Sequence, residues 1–159
     1  GASLDPMVSL HKQNLIVNVG NFHTLAFRLG ENGIEGLLEH HTGFLNQAKL
    51  EDLLLRLAAG TLTNSDVYED NGHGALVYSA QSLKMDHADF NMVVTGPRRN
   101  VLRGSSLLPY FAVPFGDMMI AGCFGLLAAA ADVMPDLAEQ LQASFSGAGG
   151  AGTPPWEVD

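Results

Sequence analysis

Between Asn14 and Gly43 the chain reads NLIVNVG, then NFHTLAFRLG, then ENGIEGLLEHHTG, and this stretch restricts the possible folds more than any other. Leu15, Ile16, Val17 and Val19 form an apolar run that is rich in β-branched side chains and too short for a helix. Leu25, Phe27 and Leu29 alternate with Ala26 and Arg28, the period of a strand. The two runs flank Gly20 and predict a strand, a turn and a returning strand. Gly20 admits backbone conformations closed to other residues, and amide N–H groups around such a turn can converge on an anion. Glu31-Asn32-Gly33 supplies a second turn, after which Ile34 to Glu39 predicts a third antiparallel strand.

From Asn46 the period lengthens. Leu50, Leu53, Leu54, Leu57 and Ala58 make one helical stripe, and Gly60 stands where a helix ends. Thr63 and Asp66 have the spacing of a capping box, and Asp70-Asn71-Gly72-His73-Gly74 forms a loop before a candidate edge strand at Ala75 to Ser79. Gln81 to Asp89 is polar and irregular. Asn91 to Thr95 is a short apolar run closed by Gly96-Pro97, with one or two helical turns over Arg98 to Arg103. Tyr110 to Val113 repeats the scheme and leads through Pro114-Phe115-Gly116 into a helix from about Met118, capped by Asp117. This alternation calls for parallel strands joined by crossovers, so the expected fold is α/β: a mixed sheet of three antiparallel strands plus parallel strands, flanked by helices.

The Met118 helix is apolar on all sides, which predicts burial, and Ala121, Gly122, Gly125 and Ala128 would let another backbone approach closely. Pro135 starts a last helix with Leu137, Leu141 and Phe145 on one face. Residues 1–13 read as a partly disordered lead-in, 14–145 as one domain, and 146–159 as a flexible Gly/Ala/Pro tail that leaves Trp156 unpacked.

Composition narrows the partners. With 17 acidic and 8 basic residues the formal charge is −9, which argues against nucleic acid and anionic membranes, and basic residues cluster only at Arg98, Arg99 and Arg103. The apolar run from Met118 to Ala131 falls short of the ~20 residues of a membrane span, and no signal-peptide pattern opens the chain. One cysteine, Cys123, excludes a disulfide framework and a CxxC metal site and fits a reducing, cytoplasmic setting. The first residues are Gly-Ala-Ser in place of Met, which suggests a cloning remnant and a removed preceding domain.

The order of elements is that of a ribonuclease-H-like lobe. Val17-Asn18-Val19-Gly20-Asn21-Phe22-His23-Thr24-Leu25-Ala26-Phe27 resembles the second phosphate hairpin of the actin, sugar-kinase and heat-shock-chaperone ATPase superfamily, whose pattern is roughly D-x-G-x-x-x-T. Val93 to Pro97 is similar to the adenosine motif of that superfamily, and Pro114 to Ala130 resembles its second connecting helix, so the likeness spans about residues 14–132. It implies the C-terminal lobe of a two-lobed ATPase or kinase-type protein, holding ATP and Mg against a missing N-terminal lobe. The implied ligand contacts are Gly20, Asn21 and Thr24, then Thr42 and Gly43, then Gly96, Arg98 and Arg99. Asn18, His23 and His41 would orient an acceptor. Asn18 stands where the pattern has aspartate, and the Gly96 turn lacks the fuller glycine run, so a non-catalytic binding or regulatory lobe is the alternative. GNFHTLAF, EHHTG, GHGA, TGPRR and PFGDMM together are similar to a bacterial and archaeal family labelled as a pyruvate formate-lyase activating enzyme. Activating enzymes of that class hold an iron–sulfur cluster on three cysteines; this sequence has one, so no such cluster is expected.

His23, His40, His41 and His73 all lie in glycine-flanked turns that this fold can bring to one end of the sheet. They admit two readings, ligands for a metal or a phosphate, and exposed loop residues that cap turns. The lack of HxH or HExxH spacing sets the expectation against a bound metal. Arg98 and Arg99 are either a bidentate anion clamp or a solvated pair. The expected partners are therefore a nucleotide or phosphorylated small molecule, the missing lobe, and a second copy of the chain through the Met118 helix.

Overall fold

The computed structural model of the chain describes residues 1–83 and 92–145. Strands β1 (Asn14–Val19), β2 (His23–Gly30) and β3 (Gly33–His41) form the expected antiparallel meander, and the helix α2 (Gln47–Ala59) follows. Asn46 caps α2 by accepting from the Lys49 amide, and Gly60 ends it in the left-handed conformation at φ 74°. Thr63 and Asp66 make a reciprocal capping box at the start of the short helix α3 (Asn64–Tyr68). Next come β4 (Gly72–Val77), β5 (Met92–Thr95) and β6 (Tyr110–Phe111).

Among the described residues the six strands form one sheet in the order β4-β3-β2-β1-β5-β6. β4 adds antiparallel to β3 at one edge, whereas β5 adds parallel to β1 and β6 parallel to β5. The mixed α/β sheet expected from the period changes is therefore present.

Its two faces are covered unequally. Leu15, Val17, Val19, Ala26, Leu38, Ala75 and Val94 share a core with the α2 stripe Leu50, Leu53, Leu54 and Leu57. On the opposite face Val93, Ile16 and Tyr110 meet Val8 and Ala112, a smaller cluster at the β1, β5 and β6 end. Over β2 and β3 that second face is open, and Leu25, Phe27, Leu29 and Leu37 are half-buried. The covered residues of β2 are Thr24, Ala26 and Arg28. Strand period identified the two sets of side chains; the position of α2 decides which of them is the interior.

The lead-in corrects the expectation of disorder. A 3-10 turn at Ala2–Leu4 and a one-turn helix α1 (Pro6–Ser9) precede β1. Asp5 is buried and accepts from the Met7 amide at 3.0 Å, the Tyr110 hydroxyl at 3.0 Å and the Val113 amide at 3.0 Å. Its partners Tyr110 and Val113 lie so far along the chain that no local pattern reveals them. Burial, with the neighbouring Asp5 carboxylate adding to it, pushes the Tyr110 hydroxyl above the usual tyrosine pKa.

Residues 120–145 belong to a second compact unit. In it α4 (Ala121–Val133) and α5 (Pro135–Phe145) pack on each other. Helix α4 starts at Ala121, later than expected, and Asp117 does not cap it: the Asp117 carboxylate accepts from the Met119 amide at 2.7 Å in the preceding turn. Nor is α4 buried on all sides, for Leu126 is 73% and Val133 77% exposed. A sequence without a polar face carries no marker of which face is covered. No helix among the described residues is long and apolar enough to cross a membrane. The expected tail with Trp156, and most of the irregular Gln81 to Asp89 stretch, lie outside the described residues.

Candidate functional site

β1, β3 and β5 end where β2 and β4 begin, so the turns that carry the sequence candidates gather at one end of the sheet. Backbone hydrogen bonds close the β1–β2 turn and tie it to the segments that follow β3 and β5. Thr42 N donates to Phe22 O at 2.8 Å, Gly20 N to His23 O at 2.9 Å and Arg98 N to Val19 O at 2.9 Å.

At this end three histidines meet on the open face. His23 and His41 are direct cross-strand partners, with ring centroids 5.0 Å apart. His73 comes from the next strand, 5.0 Å from His23 and 4.5 Å from His41. One nitrogen from each ring lies within 4.8 Å of the other two.

His73 reaches that face through an irregularity. The register of β3 and β4 runs from Glu39↔Gly74 to His40↔Gly72, so His73 is the extra residue of a bulge. Gly74 adopts φ 126°, and a side chain at Gly72 would meet Val67 Cγ1 at 2.5 Å and Val67 O at 2.7 Å. Both glycines flanking His73 are thus required for its placement.

His40 goes the other way, because consecutive strand residues face opposite sides. It is fully buried on the α2 side, with Nδ1 3.1 Å from His41 O and Nε2 3.4 Å from Asp70 Oδ2. Lys49 pairs with the same carboxylate at 2.5 Å and holds the Asp70 pKa below its usual value, with His40 acting in the same direction. The expected four-histidine group is therefore a triad plus one structural histidine. Desolvation lowers the His41 pKa below the usual histidine value; the neighbouring His73, His23 and His40 push the same way, and Glu39 opposes them.

Beside the triad, an open pocket of about 440 Å³ is lined by Asn21, Phe22, His23, His41, Gly43 and Phe44. Phe22 is 81% and Phe44 58% exposed, so two aromatic rings border the pocket. On the other side of His73 a smaller one of about 170 Å³ includes Glu39 and Asn64.

The remaining candidates separate into those facing solvent and those spent on the fold. Asn18 is exposed, and its Nδ2 donates to Thr95 Oγ1 at 3.3 Å. Asn21, Gly43 and Arg98 are exposed as well. Gly20 does not have the positive φ expected of it; its constraint is space, since a Cβ there would meet His23 O at 2.6 Å. Its amide is already used in closing the hairpin and is not turned toward an anion. Arg99 lies with its guanidinium 5.9 Å from the Phe111 ring centroid and donates to Ala112 O at 3.5 Å, so it braces β6 instead of forming a clamp with Arg98.

Thr24 is likewise turned inward. It is fully buried, and its hydroxyl lies 2.9 Å from that of the buried Thr42. Both hydroxyls are engaged in locking the β2 start to the β3 end. Thr24→Val is therefore expected to cost about 1–3 kcal/mol by leaving the Thr42 hydroxyl unpaired, whereas Thr24→Val with Thr42→Val restores most of that loss. Urea denaturation of the single and double variants measures the difference. Equal stability of Thr24→Val and the parent would contradict a structural pair.

A family model matches residues 1–101, from the lead-in through the turn after β5, a span that contains the whole histidine triad. The chain belongs to this family, described as "Putative pyruvate format-lyase activating enzyme (DUF1786)". No curated protein and no solved structure matches the chain. The family description implies an iron–sulfur cluster, and the residues present do not fit one. Cys123 is the one cysteine of the sequence, is exposed, and lies outside the matched span.

Sequence reasoning named His73 but left it out of the expected site. The signal was available in Gly72-His73-Gly74, since two glycines bracketing a histidine mark a backbone built to present that ring. Arg28 enters the sequence reading only as an alternating strand position, and Asp5 does not enter it.

Proposed function

We propose that this chain is the ligand-binding lobe of a two-lobed, actin-like protein that takes a phosphate-bearing small molecule at the histidine end of the sheet. One observation carries the reading: the antiparallel order β3-β2-β1 continued by parallel β5 and β6 puts the β1–β2 hairpin tip beside the Gly96 turn. That is where the ribonuclease-H-like lobe of the resemblance would meet phosphate and adenosine. The available contacts differ from the pattern. Thr24, Gly20 and Arg99 are engaged elsewhere, which leaves Asn21, Gly43 and the exposed Arg98 to hold the ligand.

ATP with Mg is the ligand pair implied by this reading. Magnesium would screen phosphate charge, and Asn18 at the tip offers it a neutral carbonyl oxygen in place of a carboxylate. A neutral amide is no general base either, so binding without turnover is the favoured form of the proposal. A half-cleft offers roughly half the contacts, which puts the expected ATP dissociation constant near ~1 mM, or about −4 kcal/mol. Calorimetry with ATP and Mg on the chain, repeated with Arg98→Ala, tests it. Millimolar binding that Arg98→Ala removes supports the lobe; no heat at 10 mM ATP, a concentration about tenfold above that constant, sinks it.

A further inference from the structure

We propose that His23, His41 and His73 bind one divalent transition-metal ion of the zinc class, leaving its fourth coordination position open to the pocket between Phe22 and Phe44. Three neighbouring strands each supply one imidazole: His23 and His41 are paired in the ladder, and His73 is held between the paired Gly72 and Gly74. Sequence motifs such as HxH place ligands through local spacing. Here strand pairing achieves the same convergence with residues 18 and 32 positions apart, which no local motif registers.

The distances suit a small ion. Zinc bound to imidazole at 2.0–2.1 Å in a tetrahedral arrangement separates its nitrogens by about 3.3 Å. The three nitrogens already lie within 4.8 Å of each other, and His23 and His73 are exposed, so ring rotation closes the gap without displacing core atoms. The placement of His73 also needs explaining. The bulge breaks the β3–β4 ladder and requires glycine at 72 and 74, and its effect is to turn His73 toward His23 and His41. Stacking alone offers little return for that disruption, because two of the three rings remain exposed.

Donor chemistry selects the class of ion. Three neutral nitrogens suit zinc, nickel, copper or iron, whereas magnesium and calcium require oxygen donors that the triad lacks. Three protein ligands plus an open position make the site one that accepts water or an anionic ligand, in contrast to a closed four-ligand structural site. The pocket lined by Asn21, His23, His41 and Gly43 gives that fourth ligand its place. All of this lies within the matched span and requires no second lobe.

The test uses the full chain without a polyhistidine tag, stripped with chelator and titrated with cobalt and then zinc. One equivalent of cobalt should bind with micromolar or tighter affinity and give the visible absorption of a tetrahedral ion, which zinc then displaces. His23→Ala and His73→Ala should each weaken cobalt about 100-fold or more, since even outer-shell partners are worth 10–100-fold. His11→Ala, in the lead-in, should bind as the parent does. Circular dichroism of each variant confirms the fold, which these exposed positions do not support. Absence of stoichiometric uptake overturns the proposal, and so does uptake unchanged in His73→Ala. ATP calorimetry on the metal-free chain reads the lobe proposal separately, so failure of one leaves the other standing.

Discussion

Arg28→Ala is expected to destabilise the protein by about 3–5 kcal/mol, the usual consequence of removing one partner from a buried charged network. Arg28 points into the α2-covered core with 1% of its surface exposed. Its guanidinium donates to Leu57 O at 3.5 Å, to Ser79 O at 3.3 Å and to Gln81 O, and lies 3.3 Å from the Glu35 carboxylate. One side chain thereby ties the end of α2 and the exit from β4 to the middle of the sheet. Its fork geometry matters, because lysine cannot address carbonyls on separate segments together. The Nε finds no acceptor among the described residues, so the network is already stretched to its capacity. Glu35→Gln should cost less, about 1–3 kcal/mol: the buried Arg28 loses its counter-charge, but an amide oxygen and the carbonyls still accept from it. Chemical denaturation of both variants distinguishes the two roles. If Arg28→Ala cost no more than Glu35→Gln, the carbonyl anchoring would be unimportant and a simple ion pair would explain the site.

Arg28 also shows where reading a strand from sequence stops. Period 2 groups Leu25, Phe27 and Leu29 against Thr24, Ala26 and Arg28, but it does not say which group a helix covers. The apolar set is the natural choice for the interior; the chain instead buries the mixed set, satisfying Arg28 with carbonyls from distant segments and Thr24 with Thr42. Helix α2 was legible through to its end, because the Leu50 to Ala58 stripe and Gly60 act within a few residues of each other. The lead-in was not, because Asp5 is held by Tyr110 and Val113. The candidate site divides along the same line. That the histidines fall at one sheet end followed from the strand order, yet the separation of His40 from His41, and the recruitment of His73 by a bulge, depend on register. Register is a property of paired strands, and no single strand's sequence contains it.

Gly96→Ala is expected to cost on the order of 3 kcal/mol or more, combining backbone strain with a collision that nothing nearby can relieve. Gly96 adopts φ 99°, and a Cβ there would lie 2.4 Å from Val19 O, 2.6 Å from Val19 C and 2.7 Å from Val19 N. These are backbone atoms at the end of β1, and Val19 O is already the acceptor for Arg98 N. Moving them would pull apart the β1–β5 pairing that joins the parallel part of the sheet to the antiparallel part. Gly33 supplies the control, for it has a similar φ of 94°, and a Cβ added there would meet nothing within 4 Å. Gly33→Ala should therefore show conformational strain alone, about 1 kcal/mol, the lower end of the range for such backbones. The difference between the two variants in urea denaturation isolates the close approach of the Gly96 turn to β1. A Gly96→Ala protein as stable as Gly33→Ala would mean that the turn stands clear of Val19, and Arg98 would then lose the anchor that holds it beside the end of β1.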